Sequence, residues 1–357
     1  MIFDAKITSI TQETLIPKVT DNVLNSNVLT ARLLTNSKEG KGYDVRKPVK
    51  IKNSGTATSF AGLDTFAASQ LDTKQKMIFE FRGSRQPIAI SGMDQIANSS
   101  ADTKVDLVVE ALEETQQELA DFVGTELYGD GSGNSNKDFY GLGSTVDDGT
   151  NTTTIGQLSR TTYPVLNSTV TASGGTLSLA KIGSLVTTVS SGTLMQATTL
   201  LLGNKTVWDL YEQLLTPTVR ASYENSGKQW IGAYGALTTQ EALQGMQGFA
   251  AISFRGIPFV KDEKATSQTI FALNENYVNF YAWSTAKVEG YSDVKVASSK
   301  IEGIYNESPM DKISGFGWSG FRSSLNQFGT IGELLILGNL TTFQPRRHGK
   351  LTGVTGV

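Results

Sequence analysis

The segment that most constrains this chain is residues 101–128, ADTKVDLVVEALEETQQELADFVGTELY, whose spacing predicts one uninterrupted helix. Val105, Val108, Leu112, Leu119 and Phe122 recur at heptad-like spacing, with Thr115 and Glu126 breaking the apolar register. Asp102 or Thr103 can cap the start, and Gly129 stops the end. At about 1.5 Å of rise per residue the rod is roughly 40 Å long, beyond an ordinary globular helix. A rod apolar along one stripe only suits a backbone strut better than the wall of an active site. The expectation is architecture, not catalysis.

What flanks the helix sharpens this. Residues 41–90 read as a long two-stranded excursion. Val45, Val49 and Ile51 alternate against charges on the outgoing piece, and Ile78, Phe79, Phe81, Ile88 and Ala89 lie on the return. Between them NSGTATSFAGLDTFAASQLDT is too long for a tight turn, and structureless stretches of that length are functional or held by a partner. Residues 1–40 alternate short apolar pieces with Thr, Asn and Ser. They read as an arm, with a short helix near 20–34, that must pack on something else. Downstream, 129–149 is turn-rich. Leu179, Ile182, Leu185, Val186 and Val189 define an amphipathic helix ending at Gly192, and 199–202 reads as a buried strand. Val207, Leu210, Tyr211, Leu214 and Leu215 give another helix, ended by Pro217, and Thr238 with Glu241 matches a capping box. Strands are expected over 253–260, 269–283 and 331–343, so the class is α+β.

Catalytic equipment is sparse. There is no cysteine, which excludes disulfide frameworks, thiolate metal sites and cysteine nucleophiles and fits a reducing cytoplasm. The single histidine, His348, follows Arg346 and Arg347 and is expected at the surface. GFGWSG, Gly315 to Gly320, satisfies the dinucleotide pattern and leaves a nucleotide-cofactor enzyme as the alternative function. It follows polar sequence, however, and Glu333 comes too early for the ribose-binding acid, so close packing at a strand junction is the better account. Asp130, Ser132, Asn134 and Asn136 alternate loosely like a calcium loop, but Ser135 stands at the glycine position and Gly141 at that of the bidentate glutamate. Turn chemistry explains the same residues. No catalytic, cofactor or metal residues are expected. No apolar run is long enough to span a bilayer, and the formal net charge of −3 announces no nucleic-acid binder.

Charge is instead laid out in blocks. Residues 102–127 hold eight acids against Lys104, whereas 41–90 hold nine bases against four acids. Either these are two solvated faces, or they are complementary surfaces between copies of the chain. The candidate contact residues are Lys47, Lys50, Lys52, Lys74 and Lys76 on the hairpin, and Glu110, Glu113, Glu114 and Glu118 on the helix. A third possibility, another tail or surface polymer, leaves the long helix behind a basic hairpin unexplained.

These features, in this order, resemble the tailed-phage major capsid protein of the Hong Kong 97-type fold. The resemblance rests on element order, on GDGSG and FYGLG after the helix (129–133, 139–143), on FRGIPFVKDE (254–263) and on the ending GELLILGNLTTFQPRRHGKL (332–351). It implies an N-terminal arm at 1–40, an extended loop at 41–92, and a spine helix with the first part of the peripheral domain at 93–160. A mixed axial domain at 161–300 and return strands of the peripheral-domain sheet at 301–357 complete it. It also implies self-assembly into hexamers and pentamers of an icosahedral virion head, put together in the host cytoplasm around double-stranded DNA held non-specifically. A portal, no membrane, and a separate scaffolding protein in place of a cleaved N-terminal segment belong to the same expectation. Some family members cross-link a loop lysine to an asparagine; here Asn326 or Asn339 would serve, and no such bond is expected.

Overall fold

The computed structural model describes residues 27–53, 55, 57–65, 72–97, 107–190, 197–215, 251–283, 292–293, 316–319, 322–323 and 327–356. Its longest strand, Gly329–Thr342, organises the first sheet. Leu334, Ile336 and Leu340 alternate inward along it, the two-residue period that a half-buried strand requires. Its first ten residues pair antiparallel with Arg82–Ser91, and its last five with Val278–Trp283. Leu334, Leu335 and Ile336 also pair with Phe316–Trp318, so the strand is bonded on both sides there. Lys38–Gly40 extends the sheet by parallel pairing with Val278–Trp283.

The helix Leu107–Glu126 lies on this sheet. Leu119, Val123 and Leu127 are buried at four-residue steps, with Thr115 one turn before them. Phe122, expected in the apolar stripe, is 48% exposed on the flank, because the buried face centres on Leu119 and Val123. Beyond the helix, residues 139–145 fold back against its end. The Leu142 and Gly143 amides donate to the carbonyls of Leu127 (2.7 Å) and Gly129 (2.9 Å), acceptors that a helix terminus leaves open. The contact needs glycine. A Cβ on Gly141 would stand 2.5 Å from the Glu126 carbonyl oxygen, and one on Gly143 2.7 Å from that of Gly129.

The second sheet is built on Leu200–Gly203, all four residues buried. Leu200, Leu202, Val260, Phe271 and Leu273 pack into the same core as the long helix. Leu201, Phe259, Ile270 and Ala272 face the helices Leu179–Val189 and Lys205–Leu214. Ser178 and Asn204 accept the first free amides of those helices, from Lys181 and Val207. The strands Ala251–Phe254 and Ile257–Lys261 join through Arg255 and Gly256, both at positive φ (51° and 79°), the geometry of a two-residue hairpin turn. The architecture is mixed α+β, as the sequence predicts. The capping box at Thr238 lies outside the described residues.

The end of the arm, expected to pack on something else, packs on the chain itself. The helix Val28–Thr35 buries Val28, Leu29, Leu33 and Leu34 in the chain's own core. Asp262, 233 residues away, accepts the Leu29 amide at 2.9 Å, and Arg32 pairs with Glu275 at 2.6 Å. One expectation needs correction: His348 is not a surface residue but fully buried, and burial pushes its pKa down to about 3. Its Nδ1 accepts the Asn274 amide (3.3 Å), so in the neutral ring the proton sits on Nε2, 3.2 Å from the Thr342 hydroxyl oxygen.

Candidate assembly surfaces

The excursion is a hairpin of Asp44–Lys50 and Lys74–Glu80, in antiparallel register from Asp44 opposite Glu80 to Lys50 opposite Lys74. Its return strand runs on almost without break into Arg82–Ser91, which ties the hairpin to the first sheet. One hairpin face is apolar at its root. Val49, Ile51, Met77 and Phe79 pack on Ile155 and Leu166, with the Phe79 ring edge-on to Phe343 at 5.6 Å. Side-chain alternation puts Lys50, Lys74 and Lys76 on the opposite face.

All five hairpin lysines are exposed. Among the described residues none stands within ion-pair distance of a carboxylate. Lys50 faces Lys74 directly across the strands, a like-charge pair that destabilises the isolated hairpin. Lys47 lies on the apolar side, its Nζ 4.9 Å from the centre of the Phe343 ring. Among the described hairpin residues the matched cation is Arg46, bonding both carboxylate oxygens of Asp44 (2.6 and 2.7 Å) and holding that acid below the usual carboxylate range. At the tip Phe60 is 66% exposed and Leu63 wholly so.

On the long helix Glu114 and Glu118 are exposed, and Glu118 accepts a hydrogen bond from the Gln86 amide at 2.6 Å. The Glu110 and Glu113 side chains lie outside the described residues. The fold thus does not bring the hairpin lysines onto Glu114 or Glu118 of the same chain. Asp121, on the same helix, is bonded to Lys264 at 2.7 Å. Glu126 turns inward: it accepts from the Ser84 hydroxyl at 2.7 Å, and burial raises its pKa from 4.5 to about 7. Arg82 beside it donates to the carbonyls of Gly131 (2.8 Å) and Asp138 and covers the Tyr140 ring at 4.1 Å.

The remaining sequence motifs resolve as structure. Phe316–Trp318 of GFGWSG is an antiparallel sheet strand, not the strand-to-helix turn that cradles a dinucleotide. Asp130, in the calcium-like loop, is bonded to the amide and hydroxyl of Ser132. Asn339 is 1% exposed and bonded to Glu80 and Tyr140, so it cannot reach a neighbour's lysine.

Sequence reasoning missed one buried polar node. Asp147 accepts from the amides of Gly149, Asn151 and Thr152 and from Lys350 at 3.2 Å. Burial opposes its charge, yet those amides and Lys350 hold its pKa low. Fully buried Arg160 donates to the carbonyls of Ser144, Asp147 and Leu166. The Asp-Asp-Gly turn at 147–149 was the one visible signal.

No family model and no curated protein matches the sequence. Solved structures do. The cyanophage A-1(L) capsid subunit aligns over 99% of both chains with TM-score 0.67 at 13% identity. The capsid of a native GTA particle aligns over 99% of both chains with TM-score 0.59 at 11% identity. The SrpI encapsulin complex of Synechococcus elongatus PCC 7942 covers 98% of this chain and 95% of that one, with TM-score 0.53 and 11% identity. From end to end, the chain has the fold of these capsid and encapsulin proteins.

Proposed function

We propose that the chain is a major capsid protein that self-assembles into the hexamers and pentamers of an icosahedral head enclosing double-stranded DNA. The observation that carries this is the end-to-end likeness to phage capsid subunits. In the Hong Kong 97-type scheme, Leu107–Glu126 is the spine, the sheet around Gly329–Thr342 is the peripheral domain and the sheet around Leu200–Gly203 is the axial domain. The hairpin is then the extended loop that reaches across a neighbour. Its exposed lysines, none in an ion pair among the described residues, and the exposed Leu63 at its tip support that role.

In this reading Lys47, Lys50, Lys52, Lys74 and Lys76 of one copy lie along Glu110, Glu113, Glu114 and Glu118 of the next. Such pairing sets register and approach rate more than affinity, and is screened over about 8–10 Å at physiological salt. A separate scaffolding protein, a portal, assembly in the host cytoplasm and residence in the virion belong to the same proposal. A net charge of −3 suits a wall that confines DNA without gripping it. Among the described residues no helix is long and apolar enough to cross a membrane.

Negative-stain microscopy of the chain, alone and with a candidate scaffold, should show closed shells or hexameric and pentameric rings. A monomer or dimer in both samples would overturn the proposal. Because an encapsulin complex shares the fold, nuclease-protected DNA in shells from infected cells is the readout that separates a DNA-filled head from another container. The triple variant Lys47→Glu, Lys50→Glu, Lys52→Glu should assemble poorly, with rescue by Glu113→Lys, Glu114→Lys and Glu118→Lys. Normal assembly of the triple variant would exclude the charged contact.

A further inference from the structure

Where the hairpin root meets the outer strand of the first sheet, the chain forms a cavity of about 390 Å³, within the range of small-molecule sites. Its lining includes four cations, Lys38, Lys47, Lys50 and Arg346, and no carboxylate. All four are exposed, Lys50 with its side chain leaving from the other hairpin face, and among the described residues none is in an ion pair. Cations along a lining that holds no carboxylate favour an anion there.

The floor has different chemistry. Val49, Leu166 and Pro345 are buried there, with the half-buried rings of Phe343, Tyr277 and Tyr281 beside them. A ring-lined apolar floor under a cationic rim fits a flat aromatic body that carries phosphate. Side-chain amides of Asn279 and Gln344 supply donors and acceptors for the edge of such a body. An α-helix is about 10 Å across. The acidic helix of a second copy can therefore meet the rim lysines but cannot enter the cavity.

We infer that this cavity binds a nucleotide-type anion, its phosphate on Lys38, Lys47 and Arg346 and its base against the Phe343 and tyrosine rings. A free nucleotide and the end of a single nucleic-acid strand present the same chemistry. The site shares Lys47 with the proposed subunit contact, whereas Lys38 and Arg346 lie outside it.

The test is anisotropy of the full-length chain with fluorescent adenosine monophosphate and with a labelled oligothymidylate. Inorganic phosphate and a peptide of residues 107–118 serve as competitors. A single saturable site is expected, weakened at least about tenfold by Lys38→Glu with Arg346→Glu. Phe343→Leu should weaken the nucleotide without changing competition by inorganic phosphate. Binding of both probes supports a free nucleotide as the source, and binding of the oligomer alone supports a strand end. The proposal falls if neither probe binds, if the double reversal leaves affinity unchanged, or if only the acidic peptide binds. Shells should still form in the double-reversal variant, so failure here and failure of the capsid reading are distinguishable.

Discussion

Glu126 and His348 are buried ionisable groups with opposite effects on stability. Burial raises the Glu126 carboxyl from 4.5 to about 7, with Asp138 adding to the rise and the Ser84 hydroxyl opposing it. The folded chain keeps a proton there that the unfolded chain gives up. That stabilisation is complete below pH 4.5 and is lost as pH rises to about 7. For His348, lowered from 6.5 to about 3, stabilisation is present above pH 6.5 and is lost on acidification towards 3. In the shared window the two slopes, each about 1.4 kcal/mol per pH unit, cancel. Glu126→Gln keeps an acceptor for Ser84 and removes one slope, so the variant's stability should rise with pH between about 4.5 and 6.5 relative to wild type. Urea midpoints at half-unit pH steps read this directly, and a constant offset at every pH would reject a titrating Glu126. Neither burial was legible in the sequence. Glu126 is covered through Ser84, 42 positions away, and His348 through Asn274, 74 positions away, and only the folded chain brings those partners near.

At the scale of elements, what was legible followed from local periodicity. The alternation in 43–52 and 76–90 marked the hairpin, the run 331–343 marked the long strand, and four-residue apolar spacing marked the helices over 107–126 and 179–189. How elements meet was not legible, because close approach depends on partners far along the chain. The seal between residues 139–145 and the end of the long helix is such a junction. Gly141→Ala places a methyl 2.5 Å from the Glu126 carbonyl oxygen, so the turn must lift and the Leu127 and Gly129 carbonyls lose their donors. The expected loss is about 3 kcal/mol. Gly356→Ala, whose added carbon meets nothing within 4 Å, should stay within about 0.5 kcal/mol of wild type. Chemical denaturation of both variants checks the contrast, and equal midpoints would mean that the seal adds nothing to stability.

For the whole molecule, folding and assembly draw on different residues. Among the described residues, no residue of the tip 53–72 joins any of the three apolar clusters, whereas Leu29 of the arm is 2% exposed in the largest. Leu29→Ala should therefore cost about 2–5 kcal/mol and lower the yield of folded subunit whether or not shells form. Replacing residues 53–72 with a short Gly-Ser turn leaves the root cluster of Val49, Ile51, Met77 and Phe79 in place. Loop-closure entropy changes by only about 1–1.5 kcal/mol on such shortening, so the melting temperature of the subunit should move little. Shell formation should be lost, because Leu63, wholly exposed at the tip, joins none of the apolar clusters of its own chain and is open to a surface on another copy. The two variants predict opposite pairs of results in melting and in microscopy. A tip-deleted chain that still closes shells would move the assembly determinant off the hairpin tip, and one that fails to fold would place the tip in the core.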